Sequence, residues 1–487
     1  MFTEYAKLKP ICVDIVGDIE KFHDEFNPLS EDGKCLIYPK IVNYLSKAGY
    51  VFDNSSEVFY KLYSDGLYYP VHESDLKREI YTLVNIANPH FNVESRHVKS
   101  IIDNFKSLST TYALELKFCE FLSTDLGMDY DIGYDMKQKG YRLIQLSNGI
   151  FNPCLKSEDY PFTLLPNCGY YFQPEGLGSY NLDFYPIPES EIFSMNEYDD
   201  FMEILPDKES LEFFLWWSGA VLFSYPFKLP MFLLLYGPGG TGKTTLIGCL
   251  LSILGRSGGH ANLSNIIDQK GQSCFIGKKL NLSSEMEGNY DKRLISSIKD
   301  ITGGEPIQVE QKYKQPIEIF PPALAFTGNV FPEIDTSDTG VLRRAYVISC
   351  SKNLENSGVD WPTLMKDNDH KNWLFNSAYY YWTKNKDKLP NQMESDSMRA
   401  MKHEMKLFNP FMTWLEDDFK TTNRDLLRTN WFNGKSLNEL YSRYSDSVYS
   451  QLGKPMSSRK FSLKIKNDFG MELISNHDVK VFRPILD

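Results

Sequence analysis

The sequence predicts an α/β protein whose core is a parallel sheet flanked by helices, with a smaller α+β domain before the core and a small C-terminal unit after it. From about residue 231 to residue 350, strand-length apolar runs alternate with helical ones, the pattern of a parallel sheet covered by helices. Before residue 148, the aromatic-rich VFDNSSEVFYKLYSDGLYYP precedes the amphipathic ESDLKREIYTLVNIA, which indicates mixed strands and helices. After residue 436, the pattern is that of helix, turn, helix and two strands.

Length and composition are those of a folded, soluble protein. The chain has 487 residues, of which 42% are hydrophobic and 24% charged. Charges are mixed through the first segment, so we expect no secretion signal. The eight cysteines are scattered without a CxxC pair, which favours reduced core residues over zinc ligands. We therefore expect an intracellular, cytoplasmic protein.

One apolar run, FFLWWSGAVLFSYPFKLPMFLLLYG at residues 213–237, is long enough to suggest a membrane helix. Pro226, Lys228 and Pro230 divide it into a helix-length piece and a strand-length piece. A buried helix followed by a buried strand explains both pieces, and we expect no membrane partner.

The chain is expected to divide into four segments. They are an N-terminal α+β domain with a turn-rich connector (1–193), a helical lead-in with the sheet core (194–350), a linker with a helical segment (351–419) and the C-terminal unit (420–487). The linker is expected to begin as a loop, because SKNLENSGVDWPTLMKDNDHKN is polar and rich in turn-forming residues.

A glycine-rich phosphate loop (P-loop) follows the apolar strand MFLLLY and precedes the helical TTLIGCLLSIL, as the motif G-x-x-x-x-G-K-[ST] requires. Its glycines let backbone N–H groups surround phosphate oxygens, Lys243 reaches the β and γ phosphates, and the Thr244 hydroxyl binds Mg²⁺. The motif predicts ATP and Mg²⁺ as cofactors. The predicted nucleotide-binding residues are Gly237, Pro238, Gly239, Gly240, Thr241, Gly242, Lys243, Thr244 and Thr245.

Carboxylates and an amide are expected opposite this loop. Glu285 and Glu287 end the short run KKLNLSSEMEG and share a face if the strand continues. Such groups hold Mg²⁺ and orient the attacking water; Glu285 is the expected metal contact, and which of the two activates water stays open. The strand ALAFTGN ends in Asn329, whose side-chain amide can contact the γ-phosphate or its water.

Two arginines, Arg343 and Arg344, follow a turn and precede another apolar strand. An arginine in such a place can act as a finger that completes the nucleotide site of a neighbouring subunit. Which of the two takes that role is not decided by the sequence.

The order of these motifs resembles the superfamily-three helicases, in the branch of poxvirus and phage or plasmid primase-helicases. The order is phosphate loop, acidic strand, SSIKDITGGEPIQVEQKYKQP, strand to Asn329 and arginine pair. LSNGIFNP is similar to the collar region that precedes the motor in that family, and the resemblance covers roughly residues 36 to 487. It implies an AAA+ core, a hexameric ring and ATP-driven unwinding of DNA during replication of a viral, phage or plasmid-type genome.

The resemblance also assigns roles to single residues. Lys243 and Thr244 match the phosphate and Mg²⁺ contacts of the family, and Glu285 matches its acidic motif. Asn329 matches the sensor, and Arg343 or Arg344 matches the arginine finger.

Basic residues suggest where DNA binds. VEQKYKQPIEI is typical of a hairpin that exposes Lys312, Tyr313 and Lys314 at its tip, and the family projects this element into the ring channel. Lysines give sequence-independent phosphate contacts and the tyrosine can stack on a base. Without the motor context, a solvated hairpin is the favoured interpretation of the pattern.

The C-terminal pattern is typical of a winged helix. Its second helix carries Arg459, Lys460 and Lys464 within a stretch from Lys454 to Lys466 that has no acidic residue. Binding to a DNA groove and docking to another protein both fit this pattern.

Two further functions stay open. An AAA+ remodeller of proteins would lack DNA-stimulated ATPase, and an origin-binding initiator would prefer one duplex sequence.

A primase needs a carboxylate pair for two metal ions. The one pair considered, Asp129 and Asp131, comes too late in the chain to have a catalytic domain around it, so any primase or polymerase is expected to be a separate partner.

Overall fold

The chain, described here from a computed structural model, divides into two units. The first comprises the described residues up to Pro188 with Phe223–Tyr225 and Ile253–Ser257, and the second comprises Glu189–Leu222, Pro226–Ser252 and Gly258–Asp487. The structure describes residues 27–31, 35–53, 58–62, 68–107, 143–153, 159–165, 179–224, 226–284, 288–289, 292–310, 315–329, 331–333, 339–407, 410–450, 455–476 and 479–485.

Two small antiparallel sheets and three helices occupy the described part of the first unit. The helices are α1 (Tyr38–Lys47), α2 (Glu73–Ala87) and α3 (Ser95–Ser107). The strands are β1 (Tyr50–Asp53), β2 (Val58–Leu62), β3 (Tyr68–Val71), β4 (Ile144–Leu146), β5 (Gly149–Asn152) and β6 (Thr163–Leu165). Strands β1–β3 form one sheet and β4–β6 the other, each paired in chain order. The amphipathic stretch noted in the sequence is α2.

The turn between β4 and β5 fixes a distant segment of the same unit. The Asn148 amide donates from Nδ2 to the carbonyl of Phe184 at 2.7 Å and accepts from the Phe184 N–H at 3.0 Å. Gly149 comes next because a Cβ there would lie 2.7 Å from the carbonyl oxygen of Leu165. Packing contacts within this unit therefore explain the Asn and Gly of LSNGIFNP. A collar function stays a prediction.

The remaining elements begin at residue 192. The helices are α4 (Asn196–Ile204), α5 (Lys208–Phe223), α6 (Lys243–Leu254), α7 (Lys292–Ile301), α8 (Thr339–Leu342), α9 (Trp361–Leu364), α10 (Asn368–Asn385), α11 (Pro390–Met393), α12 (Asp396–Leu407), α13 (Pro410–Phe419), α14 (Arg424–Leu426), α15 (Leu437–Ser450) and α16 (Ser458–Phe469). A π-helix, Leu427–Phe432, continues α14, and short 3₁₀ turns lie at Ile192–Ser194, Gly255–Ser257, Leu263–Ile266 and Gly271–Phe275.

The strands of this part are β7 (Phe232–Tyr236), β8 (Gly258–His260), β9 (Leu280–Ser283), β10 (Gly288–Asn289), β11 (Ile307–Val309), β12 (Ile317–Ile319), β13 (Ala323–Gly328), β14 (Pro332–Glu333), β15 (Ala345–Ser349), β16 (Met471–Asn476) and β17 (Val479–Pro484). Five of them form one sheet in the order β8, β9, β13, β7, β15, and every pairing in it is parallel. The predicted parallel sheet flanked by helices is thereby confirmed.

Register decides which chain segments meet at one edge of this sheet. Tyr236 at the end of β7 pairs with Gly328 of β13 and with Ser349 of β15. The segments after these strands therefore leave from the same carboxyl edge, where ligands of open α/β sheets bind.

The long apolar run is a buried helix followed by a buried strand, as predicted. The side chains of α5 from Phe213 to Leu222 and of β7 from Phe232 to Leu235 are buried. A helix that is apolar on all sides belongs inside a core. Among the described residues, no helix has the length and apolar character needed to cross a membrane.

The polar stretch predicted as a loop after β15 contains more helix than expected. It includes α9 and the start of α10. Asp360 caps α9 by accepting from the Thr363 N–H, and Asp367 caps α10 by accepting from the His370 N–H at 2.8 Å. Both aspartates are of a residue type that favours turns in a sequence, but in this structure they are helix N-caps.

The C-terminal elements surround an aromatic core. Helices α13, α15 and α16 and the hairpin of β16 with β17 contribute side chains to it, among them the fully buried Phe411, Trp414, Phe461 and Phe482. Helix α16 begins at the cap Ser457 and ends at Gly470, whose φ of 62° is the left-handed conformation common at helix ends.

Two helical glycines make a matched pair for a stability test. A Cβ at Gly219 of α5 would lie 2.4 Å from the carbonyl oxygen of Ala378 in α10, whereas a Cβ at Gly248 of α6 would meet only Cε of Lys366, at 3.7 Å. We expect Gly219→Ala to lower the free energy of unfolding by about 1–3 kcal/mol through overpacking. Gly248→Ala should raise it by about 0.5–1 kcal/mol, because alanine favours helix.

Urea unfolding of the two variants, followed by circular dichroism, measures both changes. Equal stability of the two variants would contradict the close crossing of α5 and α10.

Candidate nucleotide-binding site

The phosphate loop connects the end of β7 to the first turn of α6 at the carboxyl edge of the sheet. Gly237, Gly240 and Gly242 all have positive φ, at 147°, 73° and 78°. Other residues rarely adopt such values, and they turn successive N–H groups toward the inside of the loop. At Gly237 a Cβ would also lie 1.9 Å from the carbonyl oxygen of Cys350, so only glycine fits.

Lys243 lies inside the loop and is buried. Its ammonium donates to the carbonyl of Gly237 at 2.6 Å, to the carbonyl of Pro238 and to Oδ1 of Asn329 at 3.1 Å. Asn329 is exposed directly after β13, the neighbour of β7. The structure thus brings together two of the predicted site residues that are 86 positions apart.

The other residues of the loop differ in exposure. Thr244 is exposed on the first turn of α6 and Thr245 is half-buried, so the Thr244 hydroxyl is open to a metal ion at the helix start. Thr241 is buried, and its hydroxyl donates to the carbonyl of Pro238 at 3.0 Å. Apart from its own chain neighbours, no described residue has an atom within 4 Å of the Cβ position of Gly239.

The predicted carboxylates, Glu285 and Glu287, lie outside the described residues, which stop at residue 284 and resume at residue 288. The strand that leads to them, β9, is described. Its Asn281 accepts from the Ala261 N–H at 2.8 Å and its Ser283 hydroxyl donates to the Ala261 carbonyl. These buried side chains anchor β9 to the segment after β8 and fix where the chain leaves the sheet.

Arg343 and Arg344 lie at the opposite edge of the sheet from the phosphate loop. Both precede β15, whose first residue, Ala345, pairs with the first residue of β7. The five residues of β7 span about 16 Å at ~3.3 Å per residue. An arginine side chain is much shorter than that, so neither arginine serves the phosphate loop of its own chain.

The two arginines differ in their surroundings. Nη1 of Arg344 donates to the carbonyl of Gly340 at 2.9 Å, and the Arg344 carbonyl accepts from the Phe232 N–H at 2.8 Å. Arg343 is exposed, and its side chain makes no hydrogen bond or ion pair with the described residues. Arg343 is therefore the one available to another molecule.

Sequence reasoning missed the segment that packs on the outside of the loop. The Leu354 N–H donates to the carbonyl of Gly240 at 2.9 Å, and the Cβ position of Gly240 lies 2.5 Å from Oε1 of Glu355. Leu354 and Ile204 of α4 both approach Gly242. The sequence predicts this segment only as a polar linker, because it contains no motif that would indicate a contact with the loop.

Burial raises the pKa of the Cys350 thiol to about 12, and the nearby positive charge of Lys243 acts in the opposite direction. The thiol beneath the loop is therefore neutral at physiological pH. A neutral, buried thiol is a poor nucleophile, and it is the backbone carbonyl of Cys350 that packs against Gly237.

The predicted DNA contacts are only partly described. Strands β11 and β12 form the predicted antiparallel hairpin, but Lys312, Tyr313 and Lys314 lie outside the described residues. On α16, Arg459 and Lys460 are exposed, while Lys464 is half-buried and pairs with Asp468 at 3.1 Å. Asp129 and Asp131 also lie outside the described residues.

Comparison with known proteins adds a family and a set of solved structures. Residues 235–344 match a family of unknown function, DUF5906. No curated protein matches the chain. An A-form apo structure of the NrS-1 C-terminal region is 12% identical, covers 92% of this chain and 99% of its own, and has a TM-score of 0.41. A second apo structure of that region is 12% identical, covers 92% and 98%, and has a TM-score of 0.40.

These structures are too dissimilar to carry an argument about activity. The chemistry is therefore inferred from the site, where glycines at positive φ and a buried lysine form a cradle suited to a phosphate chain.

The contact between Lys243 and Asn329 predicts outcomes of different size for two substitutions. Asn329→Asp places a carboxylate about 3 Å from the Lys243 ammonium, where it holds the lysine back and repels phosphate. We expect it to weaken ATP affinity about tenfold, which is about 1.4 kcal/mol. Asn329→Ala should change the affinity less than about threefold, because the cradle remains.

Isothermal titration of MgATP against both variants measures this difference. An equal loss of affinity in the two would show that the added charge does not meet Lys243.

Proposed function

We propose that this chain is an ATP-dependent DNA helicase of the superfamily-three type, with an AAA+ core, that works as a homohexameric ring in replication of a viral, phage or plasmid-type genome. The contact of Lys243 with Asn329 across neighbouring parallel strands is the observation that carries the proposal. It joins a phosphate-binding lysine to a polar group at the end of the next strand, where a γ-phosphate or its attacking water would lie.

The residues of this chain would act in a simple order. On binding ATP, the Lys243 ammonium exchanges the carbonyls of Gly237 and Pro238 for phosphate oxygens, while the loop N–H groups surround the phosphates. Asn329, released from Lys243, then orients the water. Thr244 and Glu285 would hold Mg²⁺, which supplies neutralisation of the charge on the β and γ phosphates.

Hydrolysis is proposed to need two subunits. The separation of Arg343 from its own phosphate loop along β7 supports a finger that acts on the neighbouring chain. We assign that role to Arg343, because Arg344 is engaged with Gly340.

DNA is proposed to contact two places. The hairpin of β11 and β12 would present Lys312, Tyr313 and Lys314 to a strand in the ring channel, and a winged-helix unit would present α16 to duplex DNA. The second proposal is supported by charge, because residues 420–487 carry twelve Lys and Arg against seven Asp and Glu in a chain of net charge −12.

The proposed function is tested by ATPase and unwinding assays on forked DNA with 3′ or 5′ tails. Wild type is expected to hydrolyse ATP faster when DNA is present and to unwind one of the two forks. Lys243→Ala removes the charge that holds the phosphates and should abolish both activities, while Lys312→Ala should keep the ATPase measured without DNA but lose its stimulation by DNA. Stimulation by a protein but not by DNA would contradict a helicase and favour a remodeller.

The arginine assignment gives a separate prediction. Arg343→Ala should lower ATP turnover by a factor on the order of 10³ while leaving ATP affinity intact. Arg344→Ala should instead lower the melting temperature, because it removes the contact with Gly340. Mixing Arg343→Ala chains with Glu285→Gln chains should restore part of the turnover, since one subunit type supplies the finger and the other the carboxylate. No recovery in the mixture would contradict shared sites.

A further inference from the structure

Two arginines near the C-terminal end of α16 have no carboxylate partner in the described part of the chain. Arg424 lies in α14, and Arg428 lies one turn later in the π-helix. Nη2 of Arg424 is 3.7 Å and Nη1 of Arg428 is 3.8 Å from one point, the Cβ position that Gly470 leaves empty. Both guanidinium groups therefore border the same small space.

Within the described part of the chain, most donors of the two guanidinium groups have no acceptor. Arg428 donates from Nη2 to the carbonyl of Ile485 at 2.7 Å. Arg424 is exposed, and its guanidinium makes no hydrogen bond or ion pair with the described residues; only its backbone carbonyl is engaged, accepting from the Leu427 N–H. Each guanidinium has five N–H donors, and two like charges side by side repel unless an anion lies between them.

Gly470 keeps this space open. It caps α16 with a left-handed φ of 62°, and its N–H donates to the carbonyl of Lys466 at 3.0 Å. A helix C-terminus favours nearby cations, which explains one arginine here. It does not explain two, since neither donates to a carbonyl of α16 among the described contacts.

We propose that Arg424 and Arg428 together bind a phosphate group of a nucleic-acid backbone. Two guanidinium groups around one phosphate give charge-assisted, paired hydrogen bonds. The excess of basic residues in 420–487 attracts a polyanion to this unit of an otherwise acidic chain. The site is separate from Arg459 and Lys460 on α16. The identity of the polyanion as a nucleic acid is the one part of this inference that rests on the proposed function.

The test measures binding by the full chain without ATP, so it does not depend on the motor. Fluorescence anisotropy with labelled single-stranded and duplex oligonucleotides, over a series of salt concentrations, compares wild type with Arg424→Ala/Arg428→Ala. We expect affinity to fall about tenfold, and the slope of log affinity against log salt to decrease by about one to two, as for the loss of one or two phosphate contacts.

A matched control removes the same charge elsewhere. Arg78→Ala/Lys99→Ala takes two exposed cations from the first unit and should change the affinity much less. Arg424→Lys/Arg428→Lys keeps the charge but loses the planar guanidinium. Its affinity for the oligonucleotides should lie between those of wild type and the alanine variant. An unchanged affinity in the alanine variant, or an equal loss in the control, would overturn the site.

Orthophosphate distinguishes a free anion from a nucleic acid. If it raises the melting temperature of wild type but not of the double alanine variant, while both bind the oligonucleotides equally, the ligand is free phosphate and the nucleic-acid proposal is wrong. ATPase without DNA should be the same in wild type and variant, which separates this site from any failure of the proposed motor.

Discussion

The Lys243 ammonium, surrounded by oxygen atoms of its own loop and by Oδ1 of Asn329, is the interaction on which the second unit depends. Three of its acceptors, the carbonyls of Gly237 and Pro238 and Oδ1 of Asn329, are neutral oxygens. A buried cation held in this way remains attractive to an anion that can replace those oxygens. The glycines make this arrangement possible, because their positive φ values turn the loop around the lysine.

Sheet topology imposes a second constraint. Parallel pairing sends the ends of β7 and β13 to one edge of the sheet and the start of β15 to the other. The same pairing that brings Asn329 to Lys243 therefore keeps Arg343 away from the phosphates of its own chain. An arginine that completes the phosphate site therefore cannot be Arg343 of the same chain.

The loop is also supported from outside. The segment after β15 passes over Gly240 and donates to its carbonyl through the Leu354 N–H before the chain continues into α9 and α10. A phosphate cradle held by backbone contacts on its outer face needs little reorganisation when it binds. The same segment continues into the helices α9 and α10, which precede the basic C-terminal elements in the chain.

The sequence by itself determined the elements whose signals are local. The loop between β7 and α6, the helix α2 and the buried pair of α5 and β7 are predicted by glycine spacing and hydrophobic periodicity, which act over a few residues. Asp360 and Asp367 show the limit of such signals, because an aspartate favours a turn or caps a helix according to the conformation of the residues after it.

Only the tertiary structure decided the contacts between distant residues. It placed Asn329 against Lys243, turned Arg344 toward Gly340 while leaving Arg343 exposed, and brought Arg424 and Arg428 to Gly470. The first and the last of these depend on strand register or helix packing between segments far apart in the chain, and a local sequence pattern carries no information about either. The contact of Arg344 spans only four residues, but whether Arg343 or Arg344 makes it depends on how the turn before β15 packs.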